Sequence, residues 1–272
     1  MNFYDVEIVN RALEQTFAFI KLHQNQHTLQ LTLSRPDKRN ALHPHMINEI
    51  AFAMQYAKTN KDIWVLLIDA EGDVFCSGAD LKAFMGELGE FTSSIPLPKQ
   101  EILVAELFHK LHKPSIVNVS GDVFAGGMFF LAGCTYVVAH KDIKLGLPEV
   151  KRGLYPFQVM AALLEIMPKR KVVDWCIRGY NLVAQEAKEF GLVTHLVASN
   201  EIDETIEKII GDICANAPYA IHLGLEALDT IESKKSQHQY LMEMLKKTIR
   251  SKDAQEGIQA FKEKRKPNWK GE

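Results

Sequence analysis

The chain is poor in net charge, in long apolar runs and in cysteine. Its 32 Lys and Arg against 34 Asp and Glu leave a formal charge of −2 over 272 residues. That balance gives no global field to draw in a nucleic-acid backbone or an anionic membrane surface, so neither is expected as a partner. The longest uncharged stretch, Val123 to Ala139, is interrupted by Gly126, Gly127 and Gly133. It falls short of the ~20 residues of a spanning helix and is expected inside the protein. Cys76, Cys134, Cys176 and Cys214 are far apart, with no C-x-x-C pair and no histidines at zinc spacing. They read as isolated buried thiols of a reducing compartment, and no metal site is expected. Asp5 and Glu7 stand near the amino terminus without an apolar h-region, so the expected location is the cytoplasm.

Hydrophobic residues make up 47% of the chain and charged residues 24%, enough apolar material for one large α/β unit or one domain with an appendage. Two alternating apolar runs, Phe19-Ile20-Leu22 and Leu29-Leu31-Leu33, flank the polar tract Gln24 to His27 and predict a hairpin. Met46, Ile47, Ile50, Ala51, Met54 and Ala57 recur at helical spacing after Pro44. Trp64 to Ile68 and Ser115 to Val119 are short continuous apolar runs, the pattern of strands covered on both faces. Helices are predicted over Glu101 to Leu111, Met128 to Ala132, Ala184 to Phe190 and Ile202 to Ala215, and extended segments over Tyr136 to Ala139 and Ile143 to Leu145. Met85 to Gln100, rich in Gly, Ser and Pro, reads as a mobile loop. The chain is expected to divide into a core over 1–200 and a helical region over 201–272.

Three segments carry chemistry. Phe75-Cys76-Ser77-Gly78-Ala79-Asp80-Leu81-Lys82 places small residues between a strand and a helix, where a ligand can approach the backbone. In Lys113 to Cys134 a strand leads to Ala125-Gly126-Gly127 at the start of an apolar helix, so that free N–H groups can face an anion or a developing oxyanion. Leu147-Pro148-Glu149-Val150-Lys151-Arg152-Gly153-Leu154-Tyr155-Pro156 sets one carboxylate in a turn among apolar neighbours. Each segment alone has a plain structural reading as a turn.

In this order and at these separations, together with Arg35-Pro36, Asn40-Ala41-Leu42 and the terminal stretch Glu256 to Arg265, the set resembles the crotonase (enoyl-CoA hydratase/isomerase) superfamily. The resemblance implies a crotonase-like (ββα)n spiral core with a C-terminal helical region that forms trimers or dimers of trimers. It implies an acyl-CoA thioester substrate, with coenzyme A as part of the substrate and no permanently bound cofactor. By position, the amides of Ala79 and Gly126 would form the oxyanion hole and Glu149 would be the acid/base. Ala41, Leu42, Asp80, Leu81 and Lys82 would line the coenzyme A path, and Phe261 and Lys264 would reach its adenine end. The last eleven residues carry five basic and two acidic groups, a local excess suited to the phosphates of one nucleotide-bearing ligand.

The chain departs from the family's hydratases at two places. Phe129 stands where they carry a first glutamate, and Phe157 stands where a glycine helps hold the hydrating water. Moving a double bond needs one base that takes an α-proton and returns it at the γ-carbon, whereas hydration also needs a held water. Two phenylalanines would dry the pocket and raise the Glu149 pKa. The residues therefore lean to isomerisation. Hydration, a non-catalytic acyl-CoA binder, and decarboxylation or thioester hydrolysis are the alternatives, and Asp122 or Tyr155 is a candidate second polar group. None of the histidines, His109, His112 and His140 among them, is assigned a role.

Overall fold

Short apolar runs that alternate with helices produce a sheet wound in layers, and the computed structural model shows how. It describes residues 1–152, 154–233 and 250–272. The hairpin forms as β1 (Ile20–Asn25) and β2 (Thr28–Leu33), antiparallel with Ile20 opposite Leu33 and Asn25 opposite Thr28. Leu29, Leu31 and Leu33 are fully buried, as a period of two requires. After the hairpin the chain repeats one manoeuvre three times. A strand enters a large sheet, a turn follows, and a three-residue strand enters a second sheet. The pairs are β3 (Val65–Ala70) with β4 (Val74–Cys76), β5 (Ser115–Val119) with β6 (Asp122–Phe124), and β7 (Tyr136–His140) with β8 (Lys144–Gly146).

The large sheet has the order β1-β2-β3-β5-β7-β10 and the small one β4-β6-β8-β9, where β9 is Asn181–Val183 and β10 is His195–Val197. From β2 to β10 the large sheet is parallel, as are β4-β6 and β6-β8, while β9 closes the small sheet antiparallel to β8. Two stacked sheets fed alternately by successive ββα units make the expected spiral. α1 (Val6–Val9) precedes the hairpin, and α2 (Pro44–Thr59) buries Met46, Ile50, Phe52 and Met54 on the core. Single turns and short helices follow as α3 (Leu81–Phe84), α4 (Val104–His109), α5 (Met128–Gly133), α6 (Phe157–Leu164), α7 (Lys169–Arg178) and α8 (Ala184–Glu189).

Beyond β10 the regular elements among the described residues are helices. α9 (Ile202–Cys214) places Ile202, Ile206, Ile209 and Ile213 on Val65, Ile116 and Val138 of the large sheet. The 200/201 division predicted from pattern thus falls just before a helix that covers the same sheet. α10 (Pro218–Ser233) and α11 (Lys252–Glu263) follow. The buried Asp253 accepts hydrogen bonds from the amides of Lys270 (2.7 Å) and Gly271 (3.0 Å), and Trp269 Nε1 donates to the Ala215 carbonyl at 2.9 Å. These bonds fold the terminal residues back over α9 and α11.

Several expectations are corrected. The helix over Glu101 to Leu111 shortens to α4, and Ile143 to Leu145 shifts by one residue to β8. The helix after Asp80 is one turn long. Met85 to Gln100 holds no regular element but is anchored: Ser94 N–H donates to Thr16 O (2.9 Å), Lys99 N–H to Phe3 O (2.8 Å) and Ser93 Oγ to Glu49 Oε1 (2.8 Å). Such ties give a sequence without periodicity a fixed path.

Candidate functional site

The three chemistry-bearing segments are far apart in sequence, and the small sheet unites them. Each leaves the carboxyl end of one of three adjacent parallel strands: Ser77 to Asp80 after β4, Ala125 to Gly127 after β6, and Leu147 to Glu149 after β8. Carboxyl ends of parallel strands are where the chain must turn and where α/β proteins place their ligands.

Ala79 is held by the Arg35 to Leu42 turn. Leu42 N–H donates to Gly78 O (2.8 Å) and Asp80 N–H to Leu42 O (3.0 Å), an isolated parallel bridge between Leu42 and Ala79. This pattern uses the Gly78 carbonyl and the Asp80 N–H and leaves the Ala79 N–H, in the same peptide unit as that carbonyl, pointing to the opposite side. Gly78 adopts φ +93°, and a Cβ there would lie 2.6 Å from Ala125 Cβ. Only glycine lets these two turns approach so closely. Gly126 is the second residue of a 3-10 turn, Ala125–Gly127, that runs into α5. Its N–H therefore has no intrahelical acceptor. A Cβ built on Gly126 would stand 3.8 Å from Ala79 N, so the two amides are neighbours.

The Arg35 to Leu42 turn is itself fixed. Asn40, fully buried at φ +50°, accepts from Arg35 N–H (2.8 Å) and donates to Glu71 O (2.8 Å) and Val74 O (2.9 Å). Arg35 Nη1 meets Asp80 Oδ2 at 2.8 Å and the Ala41 carbonyl at 3.0 Å. Burial works against the Asp80 carboxylate, but Arg35 and the Ala83 amide outweigh it and hold its pKa below the ordinary value. The Asp80 charge is thus already engaged by Arg35, and its side chain caps α3. Ala41 is half-buried and Leu42 buried, while Leu81 and Lys82 are exposed at the rim.

Glu149 sits in a 3-10 turn, Pro148–Arg152, whose exit is fixed by Leu154 N–H donating to Glu149 O at 3.0 Å. The end of α7 packs beneath it: a Cβ on Gly179 would come within 2.9 Å of Val150 Cγ2. The Cys176 thiol of α7 is pushed up to about 11, first by burial and then by the Glu149 charge, so the carboxylate and thiol share one low-dielectric corner. The Tyr155 hydroxyl donates to Met160 Sδ at 3.4 Å, and its pKa is raised first by burial and then by the neighbouring Cys176 thiol.

Phe129 is buried on α5. Phe157 departs from expectation: it is 70% exposed at the start of α6, its ring 5.0 Å from that of Tyr155. Asp122 Oδ1 accepts from Lys144 N–H at 2.8 Å and serves the β6–β8 pairing. His109 faces Glu165, His112 faces Asp229 and His140 faces Asp142. Lys264 is exposed at φ +52° beyond α11, whereas the Phe261 side chain lies outside the described residues. Cys76 and Cys134 are buried with thiols pushed up to about 12 by desolvation. Among the described residues no group of three or more His, Cys, Asp or Glu could hold a metal ion, and no helix is long and apolar enough to cross a membrane. A cavity of about 190 Å³ between the ends of α9 and α10 and the core, and one of about 340 Å³ between α4, α5 and α10, share no lining residue with this corner.

Sequence reasoning passed over Arg35 as a partner of Asp80, and over His43, which is fully buried beside Leu42. The signal for both was their place in or next to the Arg35 to Leu42 turn.

A family model described as enoyl-CoA hydratase/isomerase matches residues 23–272. The enoyl-CoA hydratase EchA19 of Mycobacterium tuberculosis is 32% identical over 250 residues, covering 89% of this chain and 93% of that protein. The mevalonyl-coenzyme A hydratase sidH of Aspergillus fumigatus is 28% identical over 256 residues, covering 90% and 92%. The crystal structure of an enoyl-CoA hydratase/isomerase from Mycobacterium paratuberculosis superposes with a TM-score of 0.82 at 28% identity, covering 94% of this chain and all of that one.

Proposed function

Because the chain belongs to the enoyl-CoA hydratase/isomerase family, we propose that it acts on an enoyl-CoA thioester, with coenzyme A entering as part of the substrate. The observation that carries this reading is the approach of the Ala79 and Gly126 amides at the ends of β4 and β6. Two preorganised donors in one corner suit the oxygen of a thioester enolate, and loss of one such donor costs ~3 kcal/mol in the transition state. Glu149, at the end of the neighbouring strand β8, is the acid/base in this proposal. The carboxylate takes the α-proton as negative charge moves to the thioester oxygen, then returns the proton.

We assign the return to the γ-carbon, which makes the reaction a shift of the double bond between the β,γ and α,β positions. Phe129 supports this choice: it is buried on the helix that opens at Gly126 and can neither hold nor deprotonate water. The exposure of Phe157 in a single chain leaves the exclusion of water to Phe129. Hydration is the second reading, favoured by the likeness to the hydratases EchA19 and sidH.

Turnover of 3-enoyl-CoA and crotonyl-CoA tests the proposal. Glu149→Gln is expected to lose 10²–10⁴-fold in kcat. Full activity in that variant overturns the role of Glu149. Solvent ¹⁸O in the product identifies hydration and overturns isomerisation. Phe129→Glu is expected to raise hydration; no gain counts against the phenylalanine as what limits it.

The terminal tail reaches the end of α9, the start of α10 and the Lys61 to Trp64 corner, and among the described residues no hydrogen bond or ion pair joins Lys264 to the turn at 35–42 or to residues 77–82. We therefore propose that Lys264 meets the adenine end of a ligand bound by a neighbouring subunit, in a homotrimer or dimer of trimers. A monomeric mass by light scattering overturns this.

A further inference from the structure

His43 occupies a joint between the candidate site and the irregular segment beside it. It directly follows Leu42, whose backbone brackets Ala79, and it is the N-cap of α2. The side chain is fully buried. Nδ1 accepts from the His45 amide at 3.1 Å, so that nitrogen carries no proton; Nε2 lies 3.1 Å from Leu88 O and donates to it. Both bonds are satisfied together only by the neutral ring with its proton on Nε2. The ring also packs against Phe19 (centroids 4.8 Å) and Phe91 (5.4 Å), which touch each other at 5.3 Å, and His45 packs on Phe91 at 4.6 Å. Leu88 and Phe91 belong to the segment that continues from Ala79 and α3 and is tied down again at Ser93 by the buried Glu49.

We infer that His43 is a positioning residue that latches residues 85–98 beside the acyl site in its neutral form and releases them when it takes a second proton. The second proton goes on Nδ1, facing an N–H donor at a helix N-terminus, where positive charge is disfavoured. The cap bond is lost and the ring must move, which takes the donor from Leu88 O and a wall from the Phe91 site. Arg35 is the cation facing His43 and Asp80 the anion, with their charges already paired to each other. On α2, His45 Nε2 stands 3.6 Å from Glu49 Oε1, and from the segment itself the ring meets the Leu88 carbonyl. Burial, the first cause, lowers the His43 pKa below its ordinary 6.5. A histidine lowered on folding contributes stability above the unfolded value that is lost as pH falls through the folded value, so the latch opens on the acid side.

The latch deepens the acyl-CoA reading, but hydrogen exchange tests it without substrate. In the full chain at pH 5 and 7.5, corrected for intrinsic exchange rates, peptides covering 85–98 should lose roughly 5–30-fold in protection at pH 5, the equivalent of one or two hydrogen bonds. His43→Gln retains a donor near the Nε2 position and does not titrate, so its protection should not change with pH. His43→Asn can still cap α2 but cannot reach Leu88, and should leave the segment unprotected at both pH values, with α2 protection reporting that the variant is folded. Equal protection of the native segment at both pH values, or native protection in His43→Asn, overturns the latch. In turnover, KM for the thioester should rise in acid in the native chain and not in His43→Gln, whereas any acid loss of kcat through Glu149 should be the same in both. A segment that opens as described in a chain that processes no thioester supports the latch and overturns the acyl-CoA reading.

Discussion

Gly126→Ala separates stability from catalysis. The backbone at Gly126 lies outside the left-handed region, and a methyl there meets Leu42 Cδ1 at 3.4 Å, Ala79 N at 3.8 Å and Gly78 Cα at 3.9 Å. These are ordinary contacts, so folding stability should change by less than about 1 kcal/mol and the melting temperature by only a few degrees. The same methyl competes for the space between the two amides. If those amides share a thioester oxygen, the variant forfeits about 3 kcal/mol of transition-state stabilisation, or roughly 150-fold in kcat/KM. Melting followed by spectroscopy and steady-state kinetics on an enoyl-CoA give the two readouts. Native kcat/KM in a variant that melts like the native chain would refute the oxyanion-hole geometry. Gly78→Ala is the contrast. At φ +93°, with a methyl 2.6 Å from Ala125 Cβ, it should lose about 2–5 kcal/mol from backbone strain and overpacking together, and stability and turnover should fall as one.

Asn40→Ala removes one accepted and two donated hydrogen bonds from a buried turn at φ +50°, and should cost about 3 kcal/mol in urea unfolding; a loss below about 1 kcal/mol contradicts the role given to the turn. Asp80, whose pKa is lowered on folding, contributes stability above the ordinary aspartate value of ~3.9 that disappears as pH falls through the folded value. The melting-temperature gap between the native chain and Asp80→Asn should therefore narrow below about pH 4, and a constant gap from pH 3 to 7 counts against the Arg35 pairing. Asp253→Ala removes the buried acceptor of the Lys270 and Gly271 amides, so limited proteolysis should trim the terminal tail; a tail as resistant as the native one rejects the clamp.

Elements with a strong period were legible in the sequence. The hairpin reads from Leu29, Leu31 and Leu33, and α9 from isoleucines at 202, 206, 209 and 213, because two and 3.6 are the repeats at which strands and helices present one face. The three-residue strands β4, β6 and β9 contain no full repeat, and only pairing with distant partners makes them strands. The site shows the same divide. Glu149, Ala79 and Gly126 could be named from their motifs, yet nothing local to Arg35 reveals that its guanidinium holds Asp80, or that His43 spans the gap between α2 and Leu88.

The sequence by itself determined the family, the alternation of strand and helix, and the presence of Phe129 rather than an acidic residue just after the glycine pair, because these depend on residue identity and order along the chain. The tertiary structure alone decided that β4, β6 and β8 lie side by side and parallel, so that three turns distant in sequence share one edge. It also decided which charges are already engaged there. Approach between turns depends on pairing register and on the absence of a single Cβ at Gly78, and both act between segments that no local window of sequence contains.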